Sequence, residues 1–285
     1  MTRLRSLLFA PANRPDLVPK LPRSHPDGVI LDLEDAVPPE QKERARGLAV
    51  DAVADLNATA AGLPVWIRVN PPSDPLFDPD LEALGPGVAG ILVPKLERAE
   101  QVGQVRDRLQ GRRLFGLRLI GGLESAAGVA AAADIVVAGL DGVYFGAEDF
   151  VADVGGERTE SNQEVLYARS RVALAAHVAR RPALDQVVVD FRDLDRLRRE
   201  AKEARALGYA GKLCIHPAQV PVVNEAFSPA PAEVERSRRL LAAHAAALAA
   251  HEGVFVFEGR MIDAPLVRQA RDLLQRAGEE GAGGG

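Results

Sequence analysis

The stretch Val29-Ile30-Leu31-Asp32-Leu33-Glu34-Asp35 decides the fold, because it joins an apolar strand directly to a cluster of carboxylates. Its apolar part is typical of a parallel strand that is buried on both faces. Seven further apolar runs end in the same way on polar residues, and helical stretches separate them. Eight such units in series predict an α/β fold, the (β/α)8 TIM barrel, whose active site lies at the carboxyl ends of the strands. The predicted strands are 6–9, 29–33, 65–69, 90–93, 117–123, 142–145, 186–189 (ending on Asp190) and 212–215.

The eight units account for residues 1–228, which we predict to form the barrel domain. Residues 229–275 contain an Ala- and Leu-rich helix, the apolar run 254–257 and a last helix, which predicts a helical C-terminal extension. The apolar run needs burial somewhere, which favours an oligomer. Residues 276–285 are rich in glycine, and we predict a disordered tail there.

Composition and charge narrow the class of protein. The formal net charge is −5 and no basic stripe is present, which argues against a nucleic-acid partner. Local arginine clusters could still hold a small anionic ligand. The single cysteine, Cys214, excludes an internal disulfide and fits a reducing cytoplasm. The longest apolar runs fall short of the roughly 18 residues that a spanning helix needs, so we expect a cytoplasmic protein without a membrane segment.

Two carboxylates follow successive predicted strands and indicate a metal site. Glu124 follows the fifth strand and Asp149 the sixth, so a barrel places them side by side on the catalytic face. Carboxylates without a neighbouring His or Cys select a hard cation, and Mg²⁺ takes one or two protein carboxylates plus waters and substrate oxygens. The alternative is that both acids only cap the helices that follow their strands.

A second group of charged residues ends the second, third and fourth strands. Period-two alternation sends Asp32 and Glu34 to the same side, where they could hold metal-bound waters or pair with Arg68 and Lys95. Arg68 could bind a substrate carboxylate or enolate through two parallel hydrogen bonds, or form a salt bridge to these acids, or do both. Lys95 could form a Schiff base, but the carboxylates near it favour a charged structural partner.

Other catalytic arrangements find little support in the sequence. His216, after the eighth strand, is a candidate proton carrier or a residue that fixes a loop. The chain contains neither a Gly-rich phosphate loop nor the Gly-x-Ser-x-Gly elbow of serine hydrolases. These absences argue against nucleotide binding and serine hydrolysis.

Eight short motifs occur in the same order as in a known family. Together they resemble the citrate lyase beta subunit-like proteins of the HpcH/HpaI aldolase superfamily, which includes malyl-CoA and citramalyl-CoA lyases. The resemblance extends from residue 3 to about residue 275. A departure is Gly121-Gly122, where relatives usually carry bulkier residues. The motifs occupy residues 8–15, 31–37, 67–70, 92–95, 123–126, 145–150, 212–217 and 259–263.

The resemblance implies a Mg²⁺-dependent lyase that makes or breaks a carbon–carbon bond of a 3-hydroxyacyl-CoA. It implies that Glu124 and Asp149 bind the metal, and that Glu124 and Arg68 contact the substrate and take part in catalysis. Arg68 would bind the keto-acid carboxylate or stabilise the enolate. The implied partners are a keto acid and an acyl-CoA, the latter a coenzyme A thioester substrate.

The resemblance also implies a coenzyme A site and a shared active site. Phe9, Arg14 and Lys20 match the segment that touches coenzyme A in relatives. Asp263 matches an acid that relatives supply from a neighbouring subunit, in a homotrimer or hexamer, and it is the best-placed candidate base; the alternative is a surface turn before Pro265. Two other functions stay open: an aldolase for free hydroxy or keto acids without coenzyme A, and a non-catalytic acyl-CoA-binding subunit of a complex.

Overall fold

Eight parallel strands close into a barrel in the computed structural model, which describes residues 4–251 and 253–278. Each strand pairs with the next along the chain, and β8 pairs with β1. The predicted (β/α)8 fold is therefore confirmed. The strands are β1 Ser6–Pro11, β2 Gly28–Asp32, β3 Val65–Arg68, β4 Val88–Val93, β5 Arg118–Leu123, β6 Gly142–Phe145, β7 Ala183–Asp185 and β8 Gly211–Cys214.

Helices follow the strands and cover the outside of the barrel. The long helices lie after β2, β4, β6 and β7, and shorter segments follow the others. Among residues 4–251 and 253–278, we find no helix that combines the length and the apolar character needed to cross a membrane. The helices are α1 Lys42–Thr59, α2 Phe77–Asp80, α3 Ala99–Gly111, α4 Ala126–Ala130, α5 Ala132–Val137, α6 Ala147–Asp153, α7 Gln163–Val178, α8 Leu194–Ala206 and α9 Gln219–Phe227, with 3-10 helices at Val18–Ser24, Pro39–Gln41 and Leu81–Ala83.

Alternation along the strands separates two apolar layers. Residues such as Leu31 and Ile67 point outward and pack under the helices. Their neighbours point inward and fill the barrel. The same alternation turns the residues beyond this inner layer, at the carboxyl ends of the strands, towards the barrel mouth. The inner layer consists of Leu7, Ile30, Trp66, Leu92, Ile120, Tyr144, Leu184 and Leu213.

The prediction for the seventh strand was wrong. The strand is Ala183–Asp185, in register with β6 and β8, and the predicted segment 186–189 lies beyond it. The polar residues at its end are therefore Asp185 and Gln186 rather than Asp190. Asp185 is fully buried, and hydrogen bonds from Lys212 Nζ (2.5 Å) and Arg169 Nε (3.0 Å) compensate its charge. A hydrophobicity pattern does not reveal such a charged residue inside a strand.

The described residues from Ser228 to Gly278 form a second compact unit, and the first ends at Phe227. The second unit contains α10 Pro231–Ala249, a hairpin of β9 Phe255–Phe257 and β10 Arg260–Ile262, and α11 Ala264–Arg276. Its core contains Leu240, Ile262, Val267 and Ala270, with Phe255 and Phe257 packed against them. Of the predicted disordered tail, residues 279–285 lie outside the described residues.

Candidate active site

An arginine–carboxylate pair occupies the ends of β2 and β3. Asp32 and Arg68 are register partners, and both point inward. Arg68 Nε and Nη2 donate to the two carboxylate oxygens of Asp32 over 2.7 and 2.6 Å, and Nη1 lies 2.9 Å from Glu34 Oε2. The predicted salt bridge is thus present. It engages three of the five N–H donors of the guanidinium, and Arg68 lines a cavity at the barrel mouth.

Lys95 lies among carboxylates at the end of β4. Its Nζ is 2.8 Å from Glu34 Oε1, 3.5 Å from Asp35 Oδ1 and 3.7 Å from Asp149 Oδ1. Burial alone lowers the pKa of Lys95, but the hydrogen bond and charge of Glu34 and the charges of the other two acids raise it above the ordinary value. A Schiff base needs a neutral amine, so Lys95 serves as a charged partner in this arrangement.

Glu124 is a deeply buried carboxylate of the site, as Asp32 and Glu34 are. It follows β5, points inward, and accepts a hydrogen bond from the backbone N–H of Lys95 over 2.9 Å. Gly146 allows this placement, because a Cβ there would lie only 2.5 Å from Glu124 Oε1. Burial, and then the charges of Glu34 and Asp149, raise the pKa of Glu124 from 4.5 to about 7. A cation bound beside Glu124 would therefore stabilise the ionised form of this buried carboxylate.

Asp149 lies in the first turn of α6, directly after β6, and it lines the same cavity as Glu124. Its side chain is 42% exposed, so it faces the mouth of the cavity rather than the core. In the part of the chain that the structure describes, no group of three or more His, Cys, Asp or Glu side chains has the geometry of a metal site. Two carboxylates are what Mg²⁺ commonly takes from a protein, with water and substrate oxygens completing its shell. The pair therefore fits such an ion.

The cavity between these residues measures about 90 Å³. Tyr144 and Gln186 line it, and the sequence analysis missed both. Tyr144 occupies an inward position of β6, and its ring lies where Gly122 leaves room on β5. Period-two alternation along β6 was the signal that could have found this tyrosine. Gln186 was missed because the seventh strand was predicted at residues 186–189, whereas it ends at Asp185.

The residues predicted to touch coenzyme A lie on β1 and just after it. Phe9 lines the cavity, and the Arg68 guanidinium lies 4.9 Å from the centroid of its ring. Arg14 is exposed and pairs with Asp16 over 2.8 Å, and Lys20 is exposed on the following 3-10 helix. The two cations follow a barrel strand at its carboxyl end, as the active-site residues do. Their contact with coenzyme A stays a prediction.

Two further predicted residues have local structural contacts. His216 stacks on Phe191 with ring centroids 4.5 Å apart, and its Nδ1 accepts from the backbone N–H of Ala218, which favours the loop-fixing interpretation. Asp263 belongs to the second unit, where its side chain caps the first turn of α11 by accepting from the backbone N–H of Leu266. Its proposed role as a base stays a prediction.

Comparison with known proteins identifies the family. Residues 5–217 match the model of the HpcH/HpaI aldolase/citrate lyase family. The chain belongs to this family. A citrate lyase subunit beta-like protein of Deinococcus radiodurans is 51% identical over 274 residues, which cover 95% of this chain and 96% of that protein. Human mitochondrial citramalyl-CoA lyase is 33% identical over 291 residues, which cover 96% of this chain and 85% of that enzyme.

A solved structure is similar to this protein over nearly the whole length of both chains. The crystal structure of protein CitE from Mycobacterium tuberculosis, in complex with magnesium, acetoacetate and coenzyme A, gives a TM-score of 0.80 at 35% identity. The match covers 96% of this chain and 98% of CitE. The family and the fold that the motifs predicted are therefore confirmed.

Proposed function

We propose that this family member is a Mg²⁺-dependent carbon–carbon lyase that reversibly cleaves a 3-hydroxyacyl-CoA such as malyl-CoA or citramalyl-CoA. The observation that carries the proposal is the convergence of Arg68, Glu124 and Asp149 on one small cavity. A related human enzyme is named citramalyl-CoA lyase, and a related structure contains magnesium and coenzyme A. These ligands match the chemistry of the cavity, which combines hard oxygen donors with an arginine.

Glu124 and Asp149 would hold the metal, which when bound supplies Lewis-acid stabilisation of negative charge on substrate oxygens. Arg68 has two N–H donors beyond its three ion-pair contacts, which suffice to bind the substrate carboxylate. The positive charge of Arg68 also stabilises the negative charge that develops on the thioester as an enolate forms. Asp32 and Glu34 hold the guanidinium in place for both tasks.

The reaction breaks the bond between C2 and C3 of the hydroxyacyl thioester. The C3 hydroxyl gives its proton to a base, its oxygen becomes the keto oxygen of glyoxylate or pyruvate, and the bonding electron pair becomes an acyl-CoA enolate that takes a proton at C2. In the reverse direction a base removes that C2 proton, and Asp263 is our candidate for this role. Phe9, Arg14 and Lys20 would contact coenzyme A.

The first experiment measures turnover and binding with the purified protein. We expect malyl-CoA or citramalyl-CoA to be cleaved only with Mg²⁺, and calorimetry to show Mg²⁺-dependent binding of pyruvate or glyoxylate. Glu124→Gln and Asp149→Asn should abolish both signals, whereas Asp134→Asn, a change of an exposed carboxylate on α5, should leave both intact. Cleavage that survives EDTA and both substitutions would contradict the metal assignment.

The same experiment separates the two alternative functions. Turnover of free hydroxy acids at a rate equal to that of the thioesters would favour an aldolase that does not use coenzyme A. Acyl-CoA binding without turnover of any of these substrates would favour a non-catalytic subunit.

We further propose a cytoplasmic homotrimer or hexamer in which Asp263 acts in the site of a neighbouring subunit. Glu124→Gln and Asp263→Asn proteins should each be inactive. Mixed subunits should regain part of the activity, because some sites then combine an intact Glu124 with an intact Asp263 from the neighbour. Sedimentation would measure the assembly, and the absence of any regain in mixed oligomers would contradict the shared site.

A further inference from the structure

Helix α7 differs from the other long helices of the barrel in the side that it turns to solvent. A helix that covers a barrel usually carries charged residues on its outer face, and α8 does so with Asp195, Arg199, Lys202 and Glu203. In α7, all of which the structure describes, no exposed position carries Asp, Glu, Lys or Arg. Its exposed residues are Gln163, Leu166, Tyr167, Leu174, His177 and Val178.

The charged residues of α7 all make contacts within the protein. Glu164 pairs with Arg158, and the buried Arg169 donates to Asp185 over 3.0 Å. Arg171 donates to backbone carbonyl groups at the end of α4. The charge of the helix is therefore used inside the subunit, and its outer face is left mainly apolar.

Three large apolar side chains form a stripe along this outer face. Tyr167 is 73% exposed, Leu174 63% and Val178 69%. Their spacing of seven and then four residues places them on one side of the helix. Leu166 is also exposed and widens the stripe at its amino end. We call these four residues the α7 face. A contiguous exposed apolar face of this kind marks an interaction surface.

The composition of the α7 face points to a second copy of this chain as its partner. A charged surface packed on it would lose its hydration without gaining compensating charges, so the partner must also be apolar. Among the described helices, only α7 exposes more than one large apolar side chain; the others with any are α1, α5, α10 and α11, with one each. A second α7 supplies a matching face, and its 16 residues extend over about 24 Å.

The charges at the two ends of α7 favour an antiparallel pair. The exposed Glu160 lies just before the helix, and the exposed Arg180 lies just after it. An antiparallel arrangement brings Glu160 of one copy near the partner's Arg180, whereas a parallel arrangement brings like charges together. A two-fold axis near Ser170, whose side chain is small, then sets Tyr167 against the partner's Leu174.

We propose that α7 is an interface between two copies of this chain, whose α7 faces pack antiparallel about a two-fold axis near Ser170. The contact is isologous, because each copy contributes the same residues. It does not depend on the proposed lyase reaction. Added to the proposed trimer, a two-fold contact joins two trimers into a hexamer.

Sedimentation velocity of the full chain over a range of concentrations tests the contact. Leu174→Glu and Tyr167→Lys each place a charge in the apolar contact. Each should raise the midpoint concentration of the association that doubles the mass by at least about tenfold, the effect of losing an interface hot spot. Val50→Glu, at an exposed apolar position on α1, should leave that midpoint unchanged. Thermal unfolding of each variant would verify that it is folded.

A mixture of the two variants tests which residues face each other. In the antiparallel pair, position 167 of one copy lies against position 174 of the other. One copy of each variant therefore brings the introduced ammonium group against the introduced carboxylate and keeps the second contact as tyrosine with leucine. The mixture should associate at least about threefold more tightly than either variant alone, since opposite charges then meet across the contact.

Ser170→Cys locates the two-fold axis. Two cysteines form a disulfide only where their Cα atoms lie within about 7 Å of each other, as they do close to the axis. Mild oxidation should therefore convert this variant into covalent dimers. The wild-type protein should form none, because its single cysteine, Cys214, is fully buried.

Each outcome supports or overturns the inference, and the measurements contain no substrate. A wild-type protein that never doubles its mass, or an unchanged midpoint in both charged variants, would overturn the contact and leave the α7 face to a different partner. Dissociation of both variants without recovery in the mixture and without the disulfide would overturn the antiparallel arrangement. The lyase proposal is tested by turnover and stands or falls separately.

Discussion

The backbone N–H of Lys95 donates to Glu124 Oε2 over 2.9 Å, so a residue at the end of β4 fixes the carboxylate that follows β5. Lys95 has a left-handed backbone, with φ 55°, which an L-residue other than glycine adopts at a cost. Its side chain meanwhile contacts Glu34 and lies within 4 Å of Asp35 and Asp149. Lys95, with its strained backbone, thus contacts the buried Glu124 through its N–H and approaches the more exposed Asp149 through its side chain.

The charge of Lys95 leads to a prediction about covalent chemistry. Since the acids around it raise the pKa of Lys95, the amine stays protonated at neutral pH and does not attack a carbonyl. Treatment with pyruvate and sodium borohydride should leave the intact mass unchanged while the enzyme remains active. A reduced pyruvate adduct on the peptide that contains Lys95 would show instead that the lysine is nucleophilic.

The raised pKa of Glu124 predicts how stability depends on pH. In metal-free protein the folded state binds the Glu124 proton more tightly than the unfolded chain does, so this acid stabilises the fold below about pH 4.5. That contribution is lost as the pH rises to about 7. Glu124→Gln should therefore raise the free energy of unfolding above pH 7 by about 2–3 kcal/mol relative to wild type.

Denaturant unfolding in EDTA would measure this difference, which should vanish at pH 4. Glu34 titrates in part of the same range, because burial raises its pKa to about 6 despite the nearby Arg68 and Lys95. The difference between Glu124→Gln and wild type isolates Glu124 from this background. A variant that is less stable than wild type at pH 8 would contradict the assignment.

The strand pattern could be predicted because parallel barrel strands are buried on both faces. The apolar run before Asp32 and the run before Arg68 both end at the barrel mouth, and period-two alternation turns the two side chains inward together. The order of the strands then determines which charged residues are neighbours. For that reason the pair of Asp32 and Arg68 could be anticipated from the sequence alone.

Other parts of the site depend on distant residues that no local pattern connects. The end of β7 depends on Asp185, whose charge is compensated by Lys212 and Arg169, 27 and 16 residues away. The left-handed backbone of Lys95 and the unsatisfied amide oxygen of Gln186 are equally invisible in the sequence. Each becomes visible only when the packed side chains are known.

The close approach of β5 and β6 makes Gly122 a sensitive position. A Cβ at Gly122 would lie 2.5 Å from the hydroxyl oxygen and from Cζ of Tyr144, a rigid and fully buried ring. Gly122→Ala should therefore lower the free energy of unfolding by about 1–3 kcal/mol, as overpacked cores do. Gly47→Ala, in an exposed helical position with nothing within 4 Å, should instead raise it by about 0.5–1 kcal/mol.

Chemical denaturation of both alanine variants would measure this contrast. Adding Tyr144→Phe to Gly122→Ala removes the clashing hydroxyl oxygen and should restore part of the loss. If Gly122→Ala is as stable as wild type, β5 and β6 do not approach as closely as the structure shows.

The geometry of Arg68 predicts that lysine cannot replace it. Arg68 reaches both oxygens of Asp32 and one of Glu34 at once, and its planar fork leaves donors for a substrate carboxylate. A lysine ammonium is a single point of charge and cannot make these contacts together. Arg68→Lys should lower kcat for thioester cleavage about 10²- to 10³-fold, the effect of losing a preorganised donor to a developing anion.

Arg118 provides a matched control at the opposite end of the barrel. It begins β5, and its guanidinium lies 4.4 Å from the centroid of the Trp66 ring, as that of Arg68 lies 4.9 Å from the centroid of Phe9. Arg118→Lys removes the guanidinium from a comparable cation–aromatic contact but changes no group at the barrel mouth, so kcat should stay within about twofold of wild type. Equal losses in the two variants would mean that arginine packing, rather than contact with the substrate, governs turnover.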